Sequence, residues 1–175
     1  MKKFELTAES KINFLGKKLF RIKALISFGD VEEGETGGWV EKEGNLEQSG
    51  DAWVYGNAEV SGNARVYGDA RVYDNAEVYD NAEVYGNARV YGDAEVYGNA
   101  DYATIHGFGT QFRTTTFFRC KDKQTRVSCG CFFGTIPEFR EQVKNTRNGK
   151  IVEEYLMIAD LMEKHFAEGE KESGE

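Results

Sequence analysis

Few side chains in this protein could do chemistry, and most of them lie after residue 103. His106 and His165 are its two histidines, and histidine is the side chain that ordinarily gains and loses a proton near neutral pH. A general base also needs an orienting partner and a substrate within reach. The motif His106–Gly107–Phe108–Gly109 specifies neither, and it reads as a loop histidine. Cys120, Cys129 and Cys131 are close together and odd in number. A zinc site would require a regularly spaced fourth ligand, so buried reduced thiols are expected and no metal or other cofactor. The densest chemical cluster joins Arg113, Arg119, Arg126, Lys121 and Lys123 to Phe112, Phe117 and Phe118 and to the hydroxyls of Thr114, Thr115 and Thr116. Guanidinium groups with aromatic rings and hydroxyls can hold a phosphate or a base. Arg113, Thr115, Phe117, Arg119 and Arg126 are therefore the candidate ligand-binding residues. The competing reading gives phenylalanine to a core and arginine to its wet side.

The elements that must position this cluster can be read around it. DYATIHGFGT is a glycine-rich exit from what precedes it. QFRTTTFFRC and QTRVSCGCFFG read as two strands joined near Lys121–Gln124. Thr135 and Glu138 have capping-box spacing, with Pro137 in the first turn, which predicts a helix to about Arg147. From about Lys150, Ile151, Tyr155, Ile158, Met162 and Phe166 recur at helical spacing and predict a second helix.

Upstream, the chain repeats itself. Valine recurs every sixth residue from Val54 to Val96, and alanine keeps the same period from Ala52 to Ala100. The unit Ala–x–Val–Tyr–Gly–Asn is a short strand followed by a corner. Ala and Val face one way and x and Tyr the other, while Gly, Asn and Asp accept the left-handed backbone of a tight corner. Three units close a triangular coil, and stacked coils make a left-handed parallel β-helix. Continued upstream, the period puts Val40 and Leu46 in the alanine slot and Lys42 and Gln48 in the valine slot, a degenerate first coil. The segment before it alternates enough to cover the open end, which would otherwise invite aggregation. The expected organisation is an N-terminal β cap over 1–39, the β-helix over 40–103, a hairpin-plus-two-helices α+β domain over 104–168, and an acidic tail over 169–175.

Units three apart share a face of the prism. Trp53, Tyr55, Arg71, Tyr73, Arg89 and Tyr91 form a basic–aromatic face. Glu59, Glu77, Tyr79, Glu95 and Tyr97 give an acidic–aromatic one, and Arg65, Tyr67, Glu83 and Tyr85 a mixed one. Seven of the nine tyrosines point outward, and an exposed aromatic array of this size marks an interface. The glutamate column reads either as a solvated acidic stripe or as a contact, and a homotrimer is expected in which the arginine face of one copy meets the glutamate face of the next.

Charge narrows the function classes. The net charge is −8, and residues 50–103 hold ten acids against three bases, which argues against nucleic acid gripped along the repeat. The amino terminus lacks the apolar core of a secretory signal, and no apolar run is long enough to span a membrane. A cytoplasmic protein without membrane association is expected.

The repeat resembles the hexapeptide-repeat superfamily of acyltransferases and γ-class carbonic anhydrases. More narrowly, LFRIKALISFGDVEEGETGGWVEKEGNL before it and TTFFRCKDKQTRVSCGCFFGTIPEF after it resemble uncharacterised hexapeptide-repeat proteins of phages and gut bacteria labelled as transferases. That label follows the fold, and fold does not fix function. The superfamily implies trimers, a histidine base at a subunit boundary, and an acyl-CoA donor between neighbouring prisms. No histidine interrupts the repeats, so His106 is the one candidate base for an acyltransferase. Two histidines cannot supply the three zinc ligands of a γ-class carbonic anhydrase. The expectation is a non-enzymatic oligomeric binding or assembly module of phage type. It would act through a host protein or by sequestering a small anionic ligand such as a nucleotide signal.

Overall fold

The hexapeptide period becomes a mainly β protein built on a β-solenoid of about three turns. It is a computed structural model that describes residues 1–167, and the acidic tail lies outside the described residues. Eight two-residue sides, β4 (Trp53–Val54) through β11 (Glu95–Val96), carry the x–Val pairs. Parallel ladders join each side to the one three units away, as in Val54–Val72–Val90 and Val60–Val78–Val96. The alanine and valine columns are buried from Ala52 to Val96 and end at the exposed Ala100, each valine contributing about 1.5–3 kcal/mol of apolar burial. At the corners Gly56, Gly62, Gly68, Gly86 and Gly92 take φ near +60°, and Asp74 and Asp80 occupy the same slot at φ 57° and 56°. Asp74 turns this to use, its carboxylate accepting from the Gly92 amide at 3.1 Å.

The first coil departs from the expected register. Val40 pairs with Val60 and Leu46 with Val66, so both stand in the valine columns rather than the alanine slot. That coil is two residues longer than the others, which are spaced by 18. Counting sixes across this insertion shifts every upstream residue by two. In true register the coil is not degenerate. Gly38 takes the alanine slot, where a Cβ would come within 2.6 Å of Val54 and 2.7 Å of the Ala58 carbonyl. The insertion at Gln48–Gly50 frees backbone carbonyls, and the buried Lys3 ammonium caps those of Ser49, Gly50 and Ala52. Gln48 meanwhile accepts from the Lys3 and Phe4 amides.

The N-terminal cap consists of β1 (Phe4–Ile12), β2 (Lys18–Ala24) and β3 (Thr36–Val40). Strand β2 runs antiparallel to both its neighbours, and the sheet continues through β3 into the parallel face of β5 (Glu59–Val60), β8 (Glu77–Val78) and β11. Phe4 and Phe28 pack edge-on against Trp53 at 6.1 and 5.4 Å.

The expected C-terminal hairpin is the middle of a larger sheet. Strands β12 (Tyr102–Phe108), β13 (Arg113–Arg119), β14 (Thr125–Cys129) and β15 (Phe132–Thr135) form an antiparallel meander. The glycine-rich exit is thus itself a strand, whose alternation of Ala103 and Ile105 with exposed Thr104 and His106 breaks at Gly107. Strand β13 is buried on both faces. Phe117 enters a core with Phe139, Tyr155 and Met162 from helices α1 (Ile136–Thr146) and α2 (Lys150–Phe166). Phe118 and Cys120 join the solenoid core instead and plug its open end. Thr135 caps α1, accepting from the Glu138 amide at 3.4 Å while Glu138 accepts from the Thr135 amide at 2.7 Å. Among the described residues, no helix is long and apolar enough to cross a membrane.

Candidate functional site

Docking the sheet on the end of the solenoid creates a groove of about 750 Å³ between them. The Arg89 amide donates to the Thr116 hydroxyl at 3.1 Å and the Lys121 amide to the Asp93 carbonyl at 3.0 Å, which fixes the two walls. From the solenoid come Arg71 and Arg89, stacked in one ladder, and the corner residues Asp51, Asp69 and Asn87. From the sheet come His106, Phe112, Arg113, Thr114, Ser128 and Cys131. Two of the three arginines in the acidic repeat therefore face this groove.

Its charge is graded. Arg71 is ion-paired with Asp30, which also accepts from the Tyr55 hydroxyl at 3.0 Å. Partial burial works against the Asp30 carboxylate, but the hydrogen bonds from Tyr55 and Arg71 hold its pKa below the ordinary carboxylate range. Along the corner column the acids Asp51 and Asp69 give way to neutral Asn87. Arg89 and Arg113 are exposed, and neither belongs to an ion pair among the described residues. Arg89 and Arg113 are therefore the guanidinium groups of the groove lining that carry no acidic partner among the described residues.

The sheet wall has local reasons for its shape. Gly130 turns β14 into β15 at φ 62°, and a Cβ there would come within 2.4 Å of the Arg113 guanidinium. Glycine thus lets Arg113 lie across the turn. His106 Nδ1 lies 3.1 Å from the Thr114 hydroxyl, which orients the ring without a carboxylate. Phe112 is 63% exposed and sits at φ 49°, a left-handed conformation that costs a residue bearing a Cβ about 1–2 kcal/mol. Cys131 is exposed on the groove wall. Burial pushes the Cys120 thiol up to about 11, so it remains protonated at neutral pH.

Of the ligand-binding residues expected from sequence, the groove takes Arg113 alone. Thr115 and Phe117 are buried, because their face of β13 is covered by the helices. Arg119 pairs with Asp101 at 3.3 Å and lies over the Phe166 ring, and Arg126 pairs with Asp122 at 2.5 Å. Sequence reasoning passed over Asn87 and Ser128, and it read Cys131 as a buried thiol, whereas the turn at Gly130 leaves it exposed. It read Arg89 only as a contact with another copy, and Phe112 only as part of a cluster. The adjacent Phe112–Arg113 pair before a strand was the available signal.

Many outward residues expected at an interface have partners within the chain. Trp53 is fully buried under the N-terminal cap, so it offers nothing to a second copy. Glu59 pairs with Lys11 at 2.7 Å and Glu77 with Lys121 at 2.5 Å. Tyr79 donates to Glu95 at 2.8 Å and stacks on Tyr97. Tyr55 stacks on Tyr73 at 4.5 Å, and Tyr91 packs against Phe118 and Phe133.

A family model described as the YdcK beta solenoid repeat matches residues 58–74, 64–80 and 82–98. No curated protein matches the chain. The matched segments fall within the solenoid and leave both caps and the sheet wall of the groove outside them. The chain is a β-helix repeat protein, similar to that family over its central repeats.

Proposed function

We propose that this protein is a non-catalytic binding module that captures a small anionic ligand in its groove through Arg89 and Arg113. The observation carrying this reading is that two guanidinium groups from separate elements, neither ion-paired among the described residues, line one cavity of an acidic protein. A cleft with a local positive wall concentrates anions even where the net charge is negative, and guanidinium groups match phosphate and carboxylate geometry. Sequestration of such a ligand suits a cytoplasmic, phage-type protein of the kind the flanking segments resemble. Assembly into a trimer stays within the proposal. Because Glu59, Glu77 and Arg71 are neutralised in-chain, its contacts would rest more on exposed tyrosines such as Tyr85 and Tyr97.

Calorimetric titration with pyrophosphate tests the reading. Saturable binding is expected, and Arg89→Glu with Arg113→Glu should weaken it more than about tenfold, since each charged hydrogen bond is worth about 1.5–3 kcal/mol. Absence of binding by the wild type, or equal binding by the variant at unchanged thermal midpoint, would overturn it.

One observation favours acyl transfer as a second reading, because His106 lines the same groove. A base in that role is ordinarily oriented by a further polar group, and here the partner is Thr114. The binding reading expects no thioester loss on incubation with acyl-CoA donors. Turnover abolished by His106→Ala would favour the transferase.

A further inference from the structure

Phe112 differs from its neighbours on β13. Phe117 and Phe118 pair with Phe139 and Tyr91 inside the protein, whereas Phe112 stands on the groove wall, exposed and in a left-handed backbone conformation. A bulky residue held there at a conformational cost, with little burial in return, points to a role at a site. Its position immediately precedes Arg113. The groove thus presents a bare aromatic face beside guanidinium groups, with the Asn87 amide on the opposite wall.

Resting on the anion-binding reading, we propose that the ligand is a nucleoside diphosphate. Its phosphates would lie on Arg89 and Arg113 and its base would stack on Phe112. An inorganic anion or a simple carboxylate would leave the phenylalanine unused, while every nucleobase has a face that stacks on an aromatic ring. Such stacking tolerates base identity, so purine and pyrimidine diphosphates both bind, the larger purine more tightly.

The test compares ADP, UDP and pyrophosphate on the full chain by calorimetry. ADP should bind about tenfold more tightly than pyrophosphate, with UDP between them. Phe112→Ala should bring ADP down to the pyrophosphate value and leave pyrophosphate itself unchanged, while Phe112→Trp should keep the advantage. Equal affinities for ADP and pyrophosphate in the wild type would overturn the nucleotide assignment and leave the anion reading standing. So would a Phe112→Ala variant that weakens both ligands alike. If pyrophosphate and ADP both fail to bind, the two readings fall together.

Discussion

The solenoid and the C-terminal sheet use side chains in opposite ways. Along the solenoid one hexapeptide recurs, so the core residues of one coil return in the next, and many outer residues find partners on a neighbouring coil or cap. Its glutamates meet Lys11 and Lys121 and its tyrosines stack on one another. In the sheet nothing recurs. Phe117 and Phe118, adjacent in sequence, serve two different cores, and Arg113 reaches a cavity that no repeat unit could form alone. A regular scaffold supplies rigidity and a ladder of like residues, and the irregular element docked on its end supplies a concave site.

The sharpest way to break this contrast is inside the scaffold. Val78→Asp puts an unpaired carboxylate into a fully packed column, at a cost of about 3–5 kcal/mol, enough to unfold the repeat. Tyr79→Ser, one residue away on the outer side, should cost about 1 kcal/mol. Thermal denaturation of the two variants checks this, and equal losses would contradict the inward and outward assignment.

A smaller effect sharpens the contrast at the groove. Asp30→Asn should release Arg71 and raise pyrophosphate affinity about three- to tenfold. The Asp30 carboxyl is held below its ordinary pKa range. Its contribution to stability is therefore present above that range and lost as pH falls through the depressed value. The substitution should slightly lower the thermal midpoint at neutral pH and have no effect in strong acid.

These expectations mark what the sequence could carry. The alanine and valine columns were legible because a strict period fixes which side chains face inward. The Thr135–Glu138 cap and the helices were legible because capping and helical spacing are local. The two-residue insertion before Ala52 hid the register of Val40 and Leu46, since a period cannot be counted across an unmarked gap. Trp53 looked outward, and it is, but the N-terminal sheet covers it. The groove was illegible for a different reason. Arg89, His106 and Arg113 line one groove only because β13 and the Cys120 that follows it dock on the last coil through Thr116, Phe118 and Cys120, and that contact has no sequence period.

On the proposed reading, anion binding belongs to the junction and not to arginines on the solenoid at large. One measurement addresses it directly: pyrophosphate titration of Arg89→Glu beside Arg65→Glu, a matched reversal on the mixed face outside the groove. Both variants lower the net charge by the same amount, so a diffuse electrostatic effect would weaken both alike. Arg65→Glu should bind like the wild type, and Arg89→Glu should lose about tenfold or more. Equal weakening in the two variants, or none in Arg89→Glu, would contradict the proposed reading.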